Sequence, residues 1–374
     1  MVALLLVLAM TVQDSGAFVV RLGSDTLSLE QYQRTATQLR GEYVIRAPRS
    51  VHRIYTADLN PDGTVRKLEV ITHNIGGGPG PMETRLAIEF VGDTSVWTIP
   101  RGDSSVVQKI AAPRGTLPYQ IHVYGLVEQY GRWARSTGKD SAAFTALGSA
   151  NQMSGGYVKK LGGDTLRLMF SDGQLAGLGP FTFRLDRQGH LTWLTGKGST
   201  VQVEVQRVAS VPMAQASAMF ANRPLGQLSP RDTARGTIGG ASVWIDYSRP
   251  SRRGRDIFGA LEPWDRVWRT GANAATQFST PVDLVIGGAT VPAGKYTLWT
   301  LPSPKGWKLI VNKQTGQWGT AYDSTQDLVR VDAKVETLAT PVEQFVIVFE
   351  PAPDAKAITF AWDKNRYSVP VSKK

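Results

Sequence analysis

Six arginines crowd the segment 247–276, at Arg249, Arg252, Arg253, Arg255, Arg266 and Arg269. Guanidinium groups stay charged across the physiological range and make planar, bidentate hydrogen bonds to carboxylate, phosphate or sulfate, so convergent arginines form an anion site. Trp264 and Trp268 interleave with them, and indole beside guanidinium adds stacking and cation-π surface that suits a sugar ring. The expected ligand is an anionic small molecule or acidic glycan. Arg249, Arg255 and Arg269 would hold it with Trp268 and Asn273, and Tyr247, Tyr296 and Asn312 would line the rim. The same residues also have a structural reading. Arginine staples long loops by bonding main-chain carbonyls or nearby acids, and Asp246, Asp256, Glu262 and Asp265 stand ready as partners. The binding expectation therefore turns on whether these cations reach solvent unneutralised.

Catalytic chemistries fare less well. The four histidines, His52, His73, His122 and His190, all precede residue 229, so the C-terminal part cannot by itself build a Ser-His-Asp triad or an imidazole zinc site. His52 and His73 could meet across a sheet, but no HExxH or similar close pair is present, and the expectation is no metal and no cofactor. Asp246, Asp256, Glu262, Asp327 and Glu343 keep a two-carboxylate envelope hydrolase as the alternative. Lys295 beside Tyr296 could act as a base only after strong desolvation. The glycine-rich IGGGPGP at Ile75 lacks the Lys-Ser/Thr of a phosphate loop and reads as a hairpin connection.

Composition narrows the class further. The 374 residues carry 42% apolar and 20% charged side chains, the balance of ordinary globular protein, enough for two or three domains. A formal charge of +11 attracts polyanions, yet it divides almost evenly at Ser229, which argues against a basic nucleic-acid arm. No cysteine occurs, excluding disulfides, thiolate metal sites and a cysteine nucleophile. Residues 2–10 form an apolar run too short to span a membrane and suited to the core of an export signal. Residues 1–17 are therefore expected to be a signal peptide, placing the chain in the periplasm or outside the cell with no integral membrane span. Nothing in the sequence names a protein partner.

The elements that must position these residues are mostly strands. From Phe18 to Arg207 short alternating runs are separated by turn residues, as in FVVRLGSDTLSLEQY, HRIYTADLNPDGTVRKLEVI and TFRLDRQGHLTWL; the pattern is that of antiparallel hairpins. One helix interrupts them: Tyr119, Val123, Val127, Tyr130 and Ala134 share a face at helical spacing, with Pro118 in the first turn. Gly125 and Gly131 each cost such a helix about 1 kcal/mol, so packing must hold it. Residues 209–228, rich in small residues and proline, read as a linker. Beyond them at least seven strand-like runs predict a sandwich. The fold class expected is mainly all-β: a curved antiparallel sheet with one packed helix over 18–208, then an antiparallel β-sandwich over 229–374.

The second region also resembles a known group. SPRD at Ser229, YSRP at Tyr247, GRDIFG at Gly254, VWRTGAN at Val267, VPAGKYTLWTLP at Val291, GWKLIVN, WGTAY and DLVR are similar to a bacterial family of exported domains of unknown function, over 229–349. The resemblance implies a compartment but no mechanism. The expected role is non-catalytic binding in the cell envelope, with the hydrolase and a purely structural or adhesive module as alternatives.

Overall fold

The computed structural model describes residues 14–374 except 78–80, 103, 149–152, 173–174, 176–177, 198 and 200. The apolar run expected to direct export lies outside the described residues. The chain is mostly β and divides into two compact units at Gly226/Gln227.

The first unit opens with a meander of β1 (Asp14–Leu22), β2 (Asp25–Arg34), β3 (Gln38–Ile45), β4 (Val51–Leu59), β5 (Val65–Asn74), β6 (Glu83–Val91), β7 (Thr94–Arg101) and β8 (Ser104–Ala111). The short β9 (Leu117–Pro118) and helix α1 (Tyr124–Ser136) follow. A second meander runs through β10 (Ser141–Leu147), β11 (Met153–Gly162), β12 (Thr165–Phe170), β13 (Phe181–Leu185), β14 (Leu191–Thr195) and β15 (Glu204–Val208), and helix α2 (Met213–Ala221) ends the unit. Antiparallel pairing of β1 with β15 sews the two meanders into one fifteen-stranded sheet. The expected turns at Gly23, at 60–63 and at 188–189 all fall between paired strands.

Helix α1 packs on one face of this sheet and supplies much of its core through Leu126, Val127 and Tyr130. It starts later than its apolar spacing predicts. Leu117 and Pro118 pair with β10 instead, Tyr119 donates its N–H to Leu147 O, and His122 at φ 68° breaks the helical path. Its two glycines are explained by close approach: a Cβ on Gly125 would sit 2.5 Å from the Tyr55 hydroxyl, and one on Gly131 2.7 Å from a Leu185 methyl. Val123 precedes the helix without a side-chain cap. Glu30 of β2 replaces it, accepting the N–H groups of Tyr124 and Gly125 at 2.7 and 2.9 Å.

The linker reading needs correction. Residues 209–228 are not a free linker, because α2 lies within them and buries Met213, Ala216 and Phe220 against Ala17, Leu29 and Val44. Their small residues allow close packing, which resembles a linker in composition alone. Ala17, where the expected signal peptide ends, is buried in β1 and pairs with Val208.

The second unit comprises β16 (Arg231–Ile238), β17 (Ala241–Ser248), β18 (Thr276–Thr280), β19 (Leu284–Ile286), β20 (Ala289–Val291), β21 (Gly294–Leu301), β22 (Trp307–Asn312), β23 (Asp327–Glu350) and β24 (Ala357–Lys373). All pair antiparallel in the order β16-β17-β18-β21-β22-β23-β24-β19-β20. The runs DLVRVDAKV and EQFVIVF, read as separate strands, are the two ends of β23, which bends at register shifts between Thr337 and Val346. The sheet folds over so that β16 also touches β23. Its inner faces close on Ile245, Phe278, Leu298, Leu309, Phe345 and Phe360, each contributing about 1.5–3 kcal/mol when fully buried.

Candidate functional site

The long excursion after β17 is bolted down along its length. Isolated bridges join Ser251 to Gln344, Trp268 to Thr300 and Ala274 to Trp318, and Ile257 and Trp268 enter the core. Trp268 stacks on Trp362 with ring centroids 5.6 Å apart and meets Phe345 edge-on at 5.1 Å. It is 2% exposed, so the expected ligand platform is a core residue. Tyr247 is equally buried and its hydroxyl accepts the Ile347 N–H at 3.0 Å. Asn312 is fully buried, donating to Asp323 O and Asp327 Oδ1 at 2.8 Å each. Tyr296 donates to Pro292 O. Asn273 occupies a left-handed backbone position at φ 60° and accepts the Gly319 N–H through its carbonyl.

The arginines follow the structural reading. Arg249 donates to Phe345 O and to Asp232 Oδ2, both at 3.1 Å. Arg252 Nε lies 2.7 Å from Asp363 Oδ1. Arg255 donates to the carbonyls of Arg252 and Ser251, and burial lowers its pKa to about 10. Arg269 is largely enclosed, its Nη1 without a hydrogen-bond partner, and its main charged neighbour is Glu262. Of the six, Arg266 is the exposed one. The structure does not bring Arg249, Arg255 and Arg269 together on solvent: Arg249 and Arg255 fasten the loop to main-chain carbonyls and to Asp232, and Arg269 is enclosed with Glu262 as its charged neighbour.

The carboxylates tell a similar story. Asp246 pairs with Arg231 at 2.8 Å, Asp327 with Arg330 at 2.7 Å, and Glu343 accepts the Arg253 N–H at 2.8 Å. Asp256 is exposed, 3.9 Å from Arg252. Glu262 differs: desolvation pushes it up to about 7 against the opposing pull of Arg269 and Arg255. A protonated carboxyl of this kind suits a general acid, but the charges acting on it are guanidiniums and not the second carboxylate that glycoside cleavage needs.

An open site in this unit lies elsewhere. The chain turns at Gly239 and Gly240, both at positive φ (54° and 80°), as a two-residue type I′ hairpin requires. That turn sets Arg235 directly opposite Trp244 on neighbouring strands, with the two side chains on one face. They line a half-open cleft of about 430 Å³ with Thr237, Ser242, Phe349 and Pro353, within the range of small-molecule sites. Arg235 is exposed and, among the described residues, has no ion-pair or hydrogen-bond partner. The sequence reading passed over Arg235 because β16 was not recognised; the Gly-Gly pair between alternating runs was the available signal.

The first unit holds its own charged centre. Glu128 of α1 is 1% exposed and accepts from the Tyr32 hydroxyl at 2.6 Å, from Arg207 at 3.0 Å and from the Leu191 N–H at 2.6 Å. Arg132 bridges it to Asp14, and His190 joins Asp14 and Asp186 at 3.0 and 2.8 Å. Every member is spent on another, which marks a structural network tying the helix to both meanders. On the opposite face a cleft of about 500 Å³ is lined by Ser15, Gln31, Gln33, Arg40, Glu42 and Ser210.

Residues 229–371 match a family described as Protein of unknown function (DUF2911). No curated protein matches the chain. Among solved structures the chain is similar to a DUF1089 family protein of Pseudomonas aeruginosa, at 15% identity and TM-score 0.33, covering 46% of this chain and 90% of that one. It is also similar to a beta-barrel-like protein of domain of unknown function DUF1849 from Brucella abortus, at 11% identity and TM-score 0.35, covering 52% and 94%. No helix among the described residues is long and apolar enough to cross a membrane.

Proposed function

We propose that the chain is an exported, non-catalytic binding protein whose second unit takes an acidic saccharide or similar polyhydroxylated anion in the Arg235–Trp244 cleft. The observation that carries this reading is the unspent guanidinium of Arg235 beside an indole. The cation pairs with a carboxylate or sulfate in bidentate fashion, the indole stacks on a sugar ring, and Thr237 and Ser242 offer hydroxyls to its alcohols. The first unit's cleft also has an exposed arginine, Arg40, but sets Glu42 in the same wall.

The test is titration of the full chain with uronic-acid, sulfated and neutral oligosaccharides, followed by tryptophan fluorescence. Acidic sugars should bind with an affinity that falls as salt rises, and Arg235→Ala should weaken binding at least tenfold while leaving thermal unfolding unchanged. Trp244→Ala should weaken acidic and neutral sugars alike. Absence of binding across the panel, or equal binding by Arg235→Ala, overturns the proposal and leaves a structural module.

A further inference from the structure

Two of the four histidines, too far apart in sequence to form a local metal motif, lie side by side on the sheet of the first unit. Strand register pairs His52 of β4 directly with His73 of β5. Their ring centroids are 5.9 Å apart with planes inclined at 34°. Both side chains are partly open to solvent, at 22% and 35%. Each ring has one nitrogen turned to a carboxylate: His52 Nε2 lies 2.6 Å from Glu42 Oε2, and His73 Nδ1 3.5 Å from Glu83 Oε2. The acids are held in turn, Glu42 by the Gln31 amide at 2.7 Å and Glu83 by Arg85 at 2.8 Å.

A carboxylate on one nitrogen of an imidazole fixes its tautomer and orientation and raises the basicity of the other nitrogen, the arrangement that surrounds metal-ligating histidines. His52 has this arrangement in full, and His73 on the adjacent ring has its carboxylate at the longer distance of 3.5 Å. His52 Nδ1 and His73 Nε2 are left without a partner among the described residues. Two imidazoles binding one ion at about 2.0–2.1 Å place their ring centres roughly 5–6 Å apart, close to the spacing observed.

We infer that His52 and His73 together chelate one divalent late-transition-metal ion, with water completing its coordination. Imidazole nitrogens select Cu²⁺, Ni²⁺ and Zn²⁺ over the oxygen-seeking Mg²⁺ and Ca²⁺. Among the described residues no group of three or more His, Cys, Asp or Glu is arranged to hold a metal, so the protein supplies two ligands and the ion stays accessible from solvent. Glu42 is a positioning residue that holds the His52 ring, and Glu83 lies near the His73 ring. β4 and β5 are interior strands of the sheet, each paired on both sides, which keeps the two rings in register.

The experiment is calorimetric titration of the full chain with Cu²⁺, Ni²⁺, Zn²⁺, Mg²⁺ and Ca²⁺, with electron paramagnetic resonance of the Cu²⁺ form. One ion per chain should bind, Cu²⁺ most tightly, with two imidazole nitrogens in the copper spectrum and no response to Mg²⁺ or Ca²⁺. His52→Gln and His73→Gln should each weaken binding at least tenfold and leave one coupled nitrogen or none, while Glu42→Gln should weaken it by about 10–100-fold. Binding unchanged by either histidine substitution, equal binding of Ca²⁺, or a wild-type copper spectrum without two nitrogens overturns the inference. The wild-type spectrum decides the matter even where a variant fails to fold.

Discussion

Glu30 makes a measurable claim about pH. It is fully buried, with its oxygens taking the Tyr124 and Gly125 N–H groups and the Tyr55 hydroxyl. Desolvation outweighs these bonds and lifts its carboxyl from 4.5 to about 7. A carboxyl whose pKa is higher in the folded state binds its proton more tightly there, so folding is favoured at low pH. That advantage begins to fade near pH 4.5 and is gone above about pH 7. At 1.36 kcal/mol per pH unit the shift amounts to about 3 kcal/mol in full, and to roughly 2–3 kcal/mol between pH 5 and pH 8. Glu30→Gln removes the titration while keeping the shape. The stability gap between the wild type and this variant should therefore move by that amount in the variant's favour from pH 5 to pH 8. Hydrogen exchange of the α1 amides, corrected for intrinsic rates at each pH, reads the gap in the first unit, and the difference cancels groups common to both proteins. A gap that stays constant to within about 0.5 kcal/mol, or one that moves the other way, refutes the assignment of a desolvated carboxyl at the helix N-terminus.

Two further substitutions separate contact from propensity. Gly125→Ala should gain about 1 kcal/mol of helix propensity yet destabilise the first unit, because the added methyl would sit 2.5 Å from the Tyr55 hydroxyl and 3.2 Å from Glu30 Oε1; urea unfolding showing a net gain would mean that the helix shifts freely on the sheet. Trp268→Ala should cost about 3–5 kcal/mol as a cavity in the second unit's core, whereas Arg266→Ala, at an exposed position of the same loop, should stay within about 0.5 kcal/mol. Equal effects of the two in denaturant unfolding would contradict the buried placement of the indole.

The hairpins were legible because turn chemistry and side-chain alternation are local. Gly23, Asn60-Pro61-Asp62-Gly63 and Gln188-Gly189 mark their turns without help from the rest of the chain, and the strands pair as those turns require. The apolar face of α1 was readable in part: Val127, Tyr130 and Ala134 lie on the helix and are buried, whereas Tyr119 and Val123 are buried ahead of it. The helix start was not, because the commitment of Leu117 and Pro118 to β10 is a long-range pairing. Helix α2 was missed for a related reason: its small residues form no strong periodic stripe and are helical through contact with Leu29 and Val44. The union of two apparent strands in β23 depends on a partner, β24, long enough to template both halves.

Residue type announces chemistry only when burial and partners leave that chemistry available, and the arginine-rich loop shows how the two come apart. Of its two tryptophans, Trp268 is an anchor that makes a long excursion stable, so it had to be buried for the same reason that made it conspicuous. Burying that anchor carries neighbouring polar groups toward the core, where unpaired main-chain carbonyls are costly, and Arg249 and Arg255 are spent on three of them, at Phe345, Arg252 and Ser251. Arg235 escapes because it stands on the exposed face of the edge strand β16, directly opposite Trp244, with no acid or free carbonyl bonded to its guanidinium among the described residues. His52 and His73 escape in part: β4 and β5 satisfy each other's backbones, and each ring keeps one nitrogen that its neighbouring carboxylate does not take. For a chain of this architecture, then, the polar residues most open to function are those on exposed faces of well-paired strands, opposite a partner of complementary chemistry.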